Sequence, residues 1–135
     1  MTAYLNGQFL PLDEARISPL DRGFLFGDGA YEVIPVYARR AFRLEQHLAR
    51  LQRTLDGIAL ANPHSVGEWQ ERLQGVISAS EFDDQSVYLQ VTRGADSKRE
   101  QSFPKDLPPT VFIFSTALPV LTAQRENGIA VLSAV

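Results

Sequence analysis

Apolar and polar positions divide the chain into several short alternating segments and two longer helical ones. Tyr4-Leu5 and Gln8-Phe9-Leu10 flank Asn6-Gly7, a pair that accepts positive φ at both central positions of a tight turn. The chain therefore opens on a hairpin. Pro11 ends its second strand, because proline has no N–H to give to a ladder. A polar connection made irregular by Pro19 leads to Tyr31–Tyr37, which is rich in Val, Ile and Tyr and predicts a strand with alternating faces. Ala38-Arg39-Arg40 turns that strand back into a short partner at Ala41-Phe42.

Leu44, Leu48, Leu51, Leu55 and Ile58 recur at helical spacing. On that helix His47 lies at the edge of the apolar stripe, Arg50 on its flank and Arg53 opposite, facing water. A histidine so placed ordinarily bonds to backbone, and an arginine so placed is ordinarily solvated. Asn62-Pro63 breaks the helix, and Ser65 with Glu68 fits a capping box that starts another. The second helix carries Val66, Trp69, Leu73, Val76 and Ile77 on one face. From Ser86 to Arg93, Val87, Leu89 and Val91 alternate with Tyr88, Gln90 and Thr92, as in a strand. The polar loop from Gly94 to Pro109 is long for a compact domain, which marks it as functional or disordered. Thr110–Thr116 is apolar almost throughout and suits a central strand covered on both faces. Pro119–Asn127 reads as a linker with room for a helical turn, and Ile129–Val135 as the start of a further strand. The expectation is an α+β domain over 1–119, mostly antiparallel sheet with two packed helices. The linker and first strand of a second domain would follow over 120–135.

Composition narrows the function classes. The net charge of −3 gives no basic footprint for nucleic acid. The absence of cysteine excludes disulfides and thiolate metal sites. His47 and His64, without paired carboxylates beside them, make a protein-built metal site unexpected. The N-terminus lacks the basic and apolar regions of a secretion signal, and no apolar run approaches membrane-spanning length. A cytoplasmic protein with no membrane partner is the expectation.

The candidate chemistry sits in Asp21-Arg22-Gly23, Phe26-Gly27-Asp28-Gly29 and Tyr31-Glu32-Val33. Read from the residues alone, this is a tight glycine turn feeding a strand with a packed tyrosine at its mouth. In order and spacing, the same residues closely resemble the class IV aminotransferases, pyridoxal-phosphate enzymes of fold type IV. Tyr31-Glu32-Val33 looks most like the D-amino-acid (D-alanine) branch, since branched-chain members usually carry a Phe-Glu-Gly-type segment here. The resemblance covers the smaller N-terminal half of such enzymes. It implies that Arg50, within Arg43–Leu51, binds the phosphate of pyridoxal 5′-phosphate. An arginine suits that task because its planar fork stays charged and gives parallel hydrogen bonds to phosphate oxygens. The resemblance also implies that Tyr31 lies close to cofactor and substrate, and that Arg99 on the long loop holds the substrate carboxylate. The family pattern there is Arg-x-His-x-Phe-Pro, and this chain reads Arg99-Glu100-Gln101-Ser102-Phe103-Pro104. Gln101 thus stands where the histidine would be and offers a hydrogen bond without charge.

The resemblance further implies a homodimer in which this loop reaches the neighbouring subunit's site, with an amino acid and a 2-oxo acid as substrates. The family's Schiff-base lysine would lie beyond Val135, and neither Lys98 nor Lys105 sits in a matching segment. No catalytic residue is therefore expected within this chain, and the fragment alone is expected to be inactive. Aminodeoxychorismate lyase and branched-chain aminotransferase, of the same fold, are the alternatives. A free-standing domain without catalysis is the alternative from another class.

Overall fold

The computed structural model of the chain describes residues 1–119 and 122–133. The hairpin forms as expected, with β1 (Thr2–Leu5) and β2 (Gln8–Pro11) joined by Asn6 at φ 47° and Gly7 at φ 100°. A single turn of 3-10 helix over Leu12–Glu14 follows. The glycine-rich stretch then differs from a simple bend, because Arg22–Phe26 winds into a short helix, α1. Asp21 caps it by accepting the Gly23 N–H at 2.8 Å, and Gly27 ends it in the left-handed conformation at φ 66°. Only glycine takes that angle without steric cost. Gly29 is needed for a different reason: a Cβ there would lie 2.5 Å from the Val91 carbonyl oxygen on the next strand.

Strand β3 (Gly29–Tyr37) turns through Ala38 and Arg39, both at positive φ, into β4, which pairs at Arg40–Ala41, one residue earlier than expected. Helix α2 (Leu44–Gly57) buries Leu48, Leu51 and Leu55, as its periodicity requires. Helix α3 (Val66–Ala79) starts at the expected capping box. Ser65 Oγ accepts from the Glu68 N–H, and Glu68 Oε2 accepts from the Ser65 N–H at 2.8 Å. Trp69, Leu73, Val76 and Ile77 are buried, whereas Val66, expected on the same face, is exposed. Strands β5 (Gln85–Thr92) and β6 (Thr110–Ala117) complete the sheet, and α4 (Thr122–Asn127) supplies the helical turn in the linker.

The described strands form one six-stranded sheet in the order β2-β1-β6-β5-β3-β4, and every pair is antiparallel. Helices α2 and α3 cover one face, where Ile34, Val36, Val87, Leu89 and Ile113 join their leucines and Trp69 in the core. The other face bears Tyr31, Val33, Tyr88, Gln90, Phe112 and Phe114, none of them buried. β6 is therefore central but not covered on both faces. Its side chains alternate between buried and half-buried, and its uniformly apolar sequence is explained by an aromatic row on the open side. Tyr31, Tyr88, Phe114 and Phe112 follow one another there at centroid separations of 5.8, 5.5 and 5.3 Å.

Ile129–Ser133 forms no strand, and Ile129, Val131 and Leu132 are exposed; Ala134 and Val135 lie outside the described residues. A strand needs a neighbour to accept its N–H groups, and no described segment is paired with this one. No described helix is long and apolar enough to cross a membrane.

Candidate functional site

Strand parity determines the first part of the site. Ala30, Glu32, Ile34 and Val36 point to the helices and Tyr31 and Val33 to the open face, so a carboxylate is driven into an apolar row at 1% exposure. An unpaired charge there would cost several kcal/mol. Helix α2 supplies the partners from positions one turn apart. Arg50 Nε donates to Glu32 Oε1 at 2.7 Å and Arg50 Nη2 to Oε2 at 2.5 Å, while His47 Nδ1 lies 2.7 Å from Oε2. Because an ionised carboxylate only accepts, His47 carries its proton on Nδ1. Burial alone would raise the Glu32 carboxyl, but the hydrogen bonds from Arg50 and His47 hold it below the usual carboxylate range. Glu32 in turn raises the Arg50 guanidinium, with a smaller contribution from the Tyr31 phenol.

His47 is thus a carboxylate partner rather than a helix-edge residue bonded to backbone. Arg50 is on the flank, as its angular position requires, and is fixed there at one edge of its guanidinium. Its side chain remains 58% exposed, and among the described residues Nη1 has no acceptor. Glu32 was not singled out as a site residue from sequence, and His47 was read as bonded to backbone. The charged residue at an inward position of an alternating apolar strand was the clue that could have found both.

Tyr31 stands on the open face, 64% exposed, with its ring stacked on Tyr88 at an interplanar angle of 21°. Burial, with Tyr31 beside it, pushes the Tyr88 phenol up.

The second part is built around Asp28. Arg22 Nε donates to Asp28 Oδ2 at 2.7 Å and Arg93 Nε donates to the same oxygen at 2.8 Å. The remaining guanidinium N–H groups go to main-chain carbonyls. Arg93 reaches Ile58 at 2.7 Å and Ala59 at 3.0 Å, where α2 ends and its dipole is negative. Arg22 reaches Glu100 at 2.6 Å and Gln101 at 3.3 Å on the long loop. Burial would raise Asp28, but the hydrogen bonds and charges of Arg93 and Arg22 hold it below the usual range.

Arg99 and Gln101 therefore sit in a segment whose backbone is tied to α1. The Arg99 guanidinium lies 4.9 Å from the Phe26 ring centre, and both side chains are otherwise exposed. Tyr31 and Arg50 form one group and Arg99 with Gln101 another, and no hydrogen bond among the described residues joins the two. No cluster of His, Cys, Asp and Glu suited to a metal ion occurs among the described residues.

The family described as "Amino-transferase class IV" matches this chain over residues 29–134. A D-alanine aminotransferase of Staphylococcus aureus (strain N315) is 33% identical over 127 residues, which is 93% of this chain and 45% of that protein. The 4-amino-4-deoxychorismate lyase of Pseudomonas aeruginosa is 28% identical with a TM-score of 0.74, over 90% of this chain and 42% of that one. A branched-chain amino acid aminotransferase of Escherichia coli superposes with a TM-score of 0.81 at 17% identity, over 89% of this chain and 40% of that one. That last likeness is one of fold, the N-terminal domain of fold type IV. The chain spans about half the length of the curated relatives it matches.

Proposed function

Because the chain belongs to the class IV aminotransferase family, we propose that it is the N-terminal part of a pyridoxal-phosphate transaminase of D-amino acids. The reaction proposed is D-alanine with 2-oxoglutarate, in a cytoplasmic homodimer. The observation that supports the cofactor assignment most directly is Arg50, held in place by a buried carboxylate while most of its side chain remains in solvent. An oriented guanidinium with an unused edge fits one face of a phosphate group. When bound, the cofactor supplies an electrophilic carbonyl and an electron sink. Arg50 would hold its phosphate, Glu32 and His47 would keep Arg50 from turning away, and Tyr31 would present its phenol to cofactor and substrate from the open face. Arg99, with Gln101, would take the substrate carboxylate.

The reactive amine comes from elsewhere in this reading. Lys98 is paired with Glu100 at 2.7 Å, which raises its pKa and keeps it protonated, the opposite of what a carbonyl-attacking lysine needs. This chain alone should therefore form no stoichiometric covalent adduct with pyridoxal phosphate. The 33% identity to a D-alanine aminotransferase supports the D-specific assignment. Two observations favour a second reading, aminodeoxychorismate lyase. The chain is 28% identical to the P. aeruginosa lyase over a matching fold, and Gln101 weakens the carboxylate grip. Assays of the full-length protein with D-alanine and 2-oxoglutarate, L-branched-chain amino acids and 4-amino-4-deoxychorismate separate the readings. Turnover of D-alanine well above the others is the expected result, and turnover of 4-amino-4-deoxychorismate alone overturns it.

A further inference from the structure

We propose that Arg22 is a positioning residue for substrate binding, acting through the Arg99–Gln101 segment; this rests on the reading that Arg99 holds the substrate carboxylate. Arg22 is 2% exposed, so it meets neither solvent nor ligand. Its guanidinium donates to the Glu100 and Gln101 carbonyls, one and two residues past Arg99, and its third contact is Asp28 at the mouth of the strand that carries Tyr31. Its own N–H donates to the Gly94 carbonyl at 2.8 Å. One residue thus ties the loop where it leaves the sheet and again at the segment with the candidate ligand-binding side chains. The Phe26 ring lies 4.9 Å from the Arg22 guanidinium and 4.9 Å from that of Arg99. Phe26 is therefore the shelf on which the exposed arginine rests, fixed to the buried one.

The other polar contacts of that segment are weak. The Lys98–Glu100 pair is exposed on both sides, and such pairs add little order. Arg93 under the Phe103 ring, at 4.1 Å, is a second hold on the loop and leads back to the same Asp28. Fixing the backbone here while leaving the Arg99 side chain in solvent reduces the ordering that binding must otherwise impose. Arg22 would then act on substrate affinity without touching substrate.

The test uses the full-length protein as parent, Arg22→Gln, Arg99→Ala and the double variant, with kcat and KM for D-alanine, pyridoxal-phosphate affinity and amide exchange over residues 99–103. Arg22→Gln should speed exchange in that segment by about tenfold or more. It should lower kcat/KM by about tenfold, chiefly through KM, and leave cofactor affinity unchanged. In the Arg99→Ala background it should change kcat/KM by less than about twofold, since the residue it acts through is gone. Equal losses in both backgrounds, or an equal loss of cofactor affinity, would mark general destabilisation and overturn the proposal. Should Arg22→Gln fail to fold, Phe26→Leu keeps the hydrogen bonds of Arg22 and removes the shelf. A silent or additive Phe26→Leu overturns it as well. Failure of the underlying reading shows differently. A silent Arg99→Ala sinks the carboxylate assignment, and with it any action of Arg22 on substrate, whereas unchanged exchange in Arg22→Gln sinks the tie itself.

Discussion

Asp28 lies just before strand β3 and Glu32 near its start, and each carboxylate is held by two nitrogen-bearing side chains, yet the clusters differ in what the partners have left to give. At Asp28 both arginine side chains are almost fully buried, at 3% and 7% exposure, and their other N–H groups end on main-chain carbonyls of two separate segments. At Glu32 one partner, His47, is mostly buried and the other, Arg50, is 58% exposed. The same pairing therefore builds scaffold in one place and presents a donor in the other. What separates them is whether the cation's remaining hydrogen bonds close within the protein.

The largest effect should come from Asp28→Asn, which leaves two buried guanidinium groups without their anion. Breaking a buried pair in this way costs about 3 to 5 kcal/mol, read as a lower urea midpoint with unchanged slope. A loss below about 1 kcal/mol would break the comparison at its rigid end. Glu32→Gln should cost less, about 1 to 3 kcal/mol, because Arg50 can turn into water and only His47 is left poorly partnered.

Acid should expose the same contrast. Asp28 and Glu32 both have folded values below their unfolded ones, near about 4, so the unfolded state binds more protons and stability rises with pH across that window. Their contribution is intact above the unfolded values and is lost as pH falls through the folded ones. His64, pushed down by burial and then by Arg72, adds a loss in the same direction that begins near its unfolded value, about 6.5. Thermal midpoints between neutral pH and the acid limb should fall for the parent and fall less for Asp28→Asn and Glu32→Gln. Parallel profiles would contradict the assignment of both shifts. Arg50→Ala leaves the buried Glu32 carboxylate with His47 as its side-chain partner, so it should cost at least as much as Glu32→Gln in the same unfolding assay.

The contrast also shows what could be read from the chain. The hairpin at Asn6-Gly7, the α2 stripe and the Ser65 capping box are set by residues within a few positions of one another, and all form as expected. Arg50 was placed on the flank of α2 by helical angle, whereas Tyr31 was read as a packed residue at the strand mouth and instead stands two residues into β3, exposed on the open face. α1 was not foreseen because Asp21 and Gly27 close it at both ends without an apolar repeat. The Asp28 cluster was hidden for a stronger reason: Arg93 lies 65 residues on, just past the neighbouring strand β5, and the Glu100 carbonyl lies 78 residues from Arg22, so no local period links them to Asp28. β6 was read as covered on both faces because aromatic residues on an open face look the same in sequence as residues in a core.

The claim that most needs testing is that Glu32 fixes Arg50 for an anion while the Asp28 cluster serves the fold. Titration of the full-length protein with pyridoxal 5′-phosphate, in parent, Arg50→Ala and Glu32→Gln, addresses it directly. Arg50→Ala should weaken binding by on the order of tenfold to a hundredfold, and Glu32→Gln should weaken it by less, since it frees the guanidinium without removing it. Equal titrations for parent and Arg50→Ala would contradict the account.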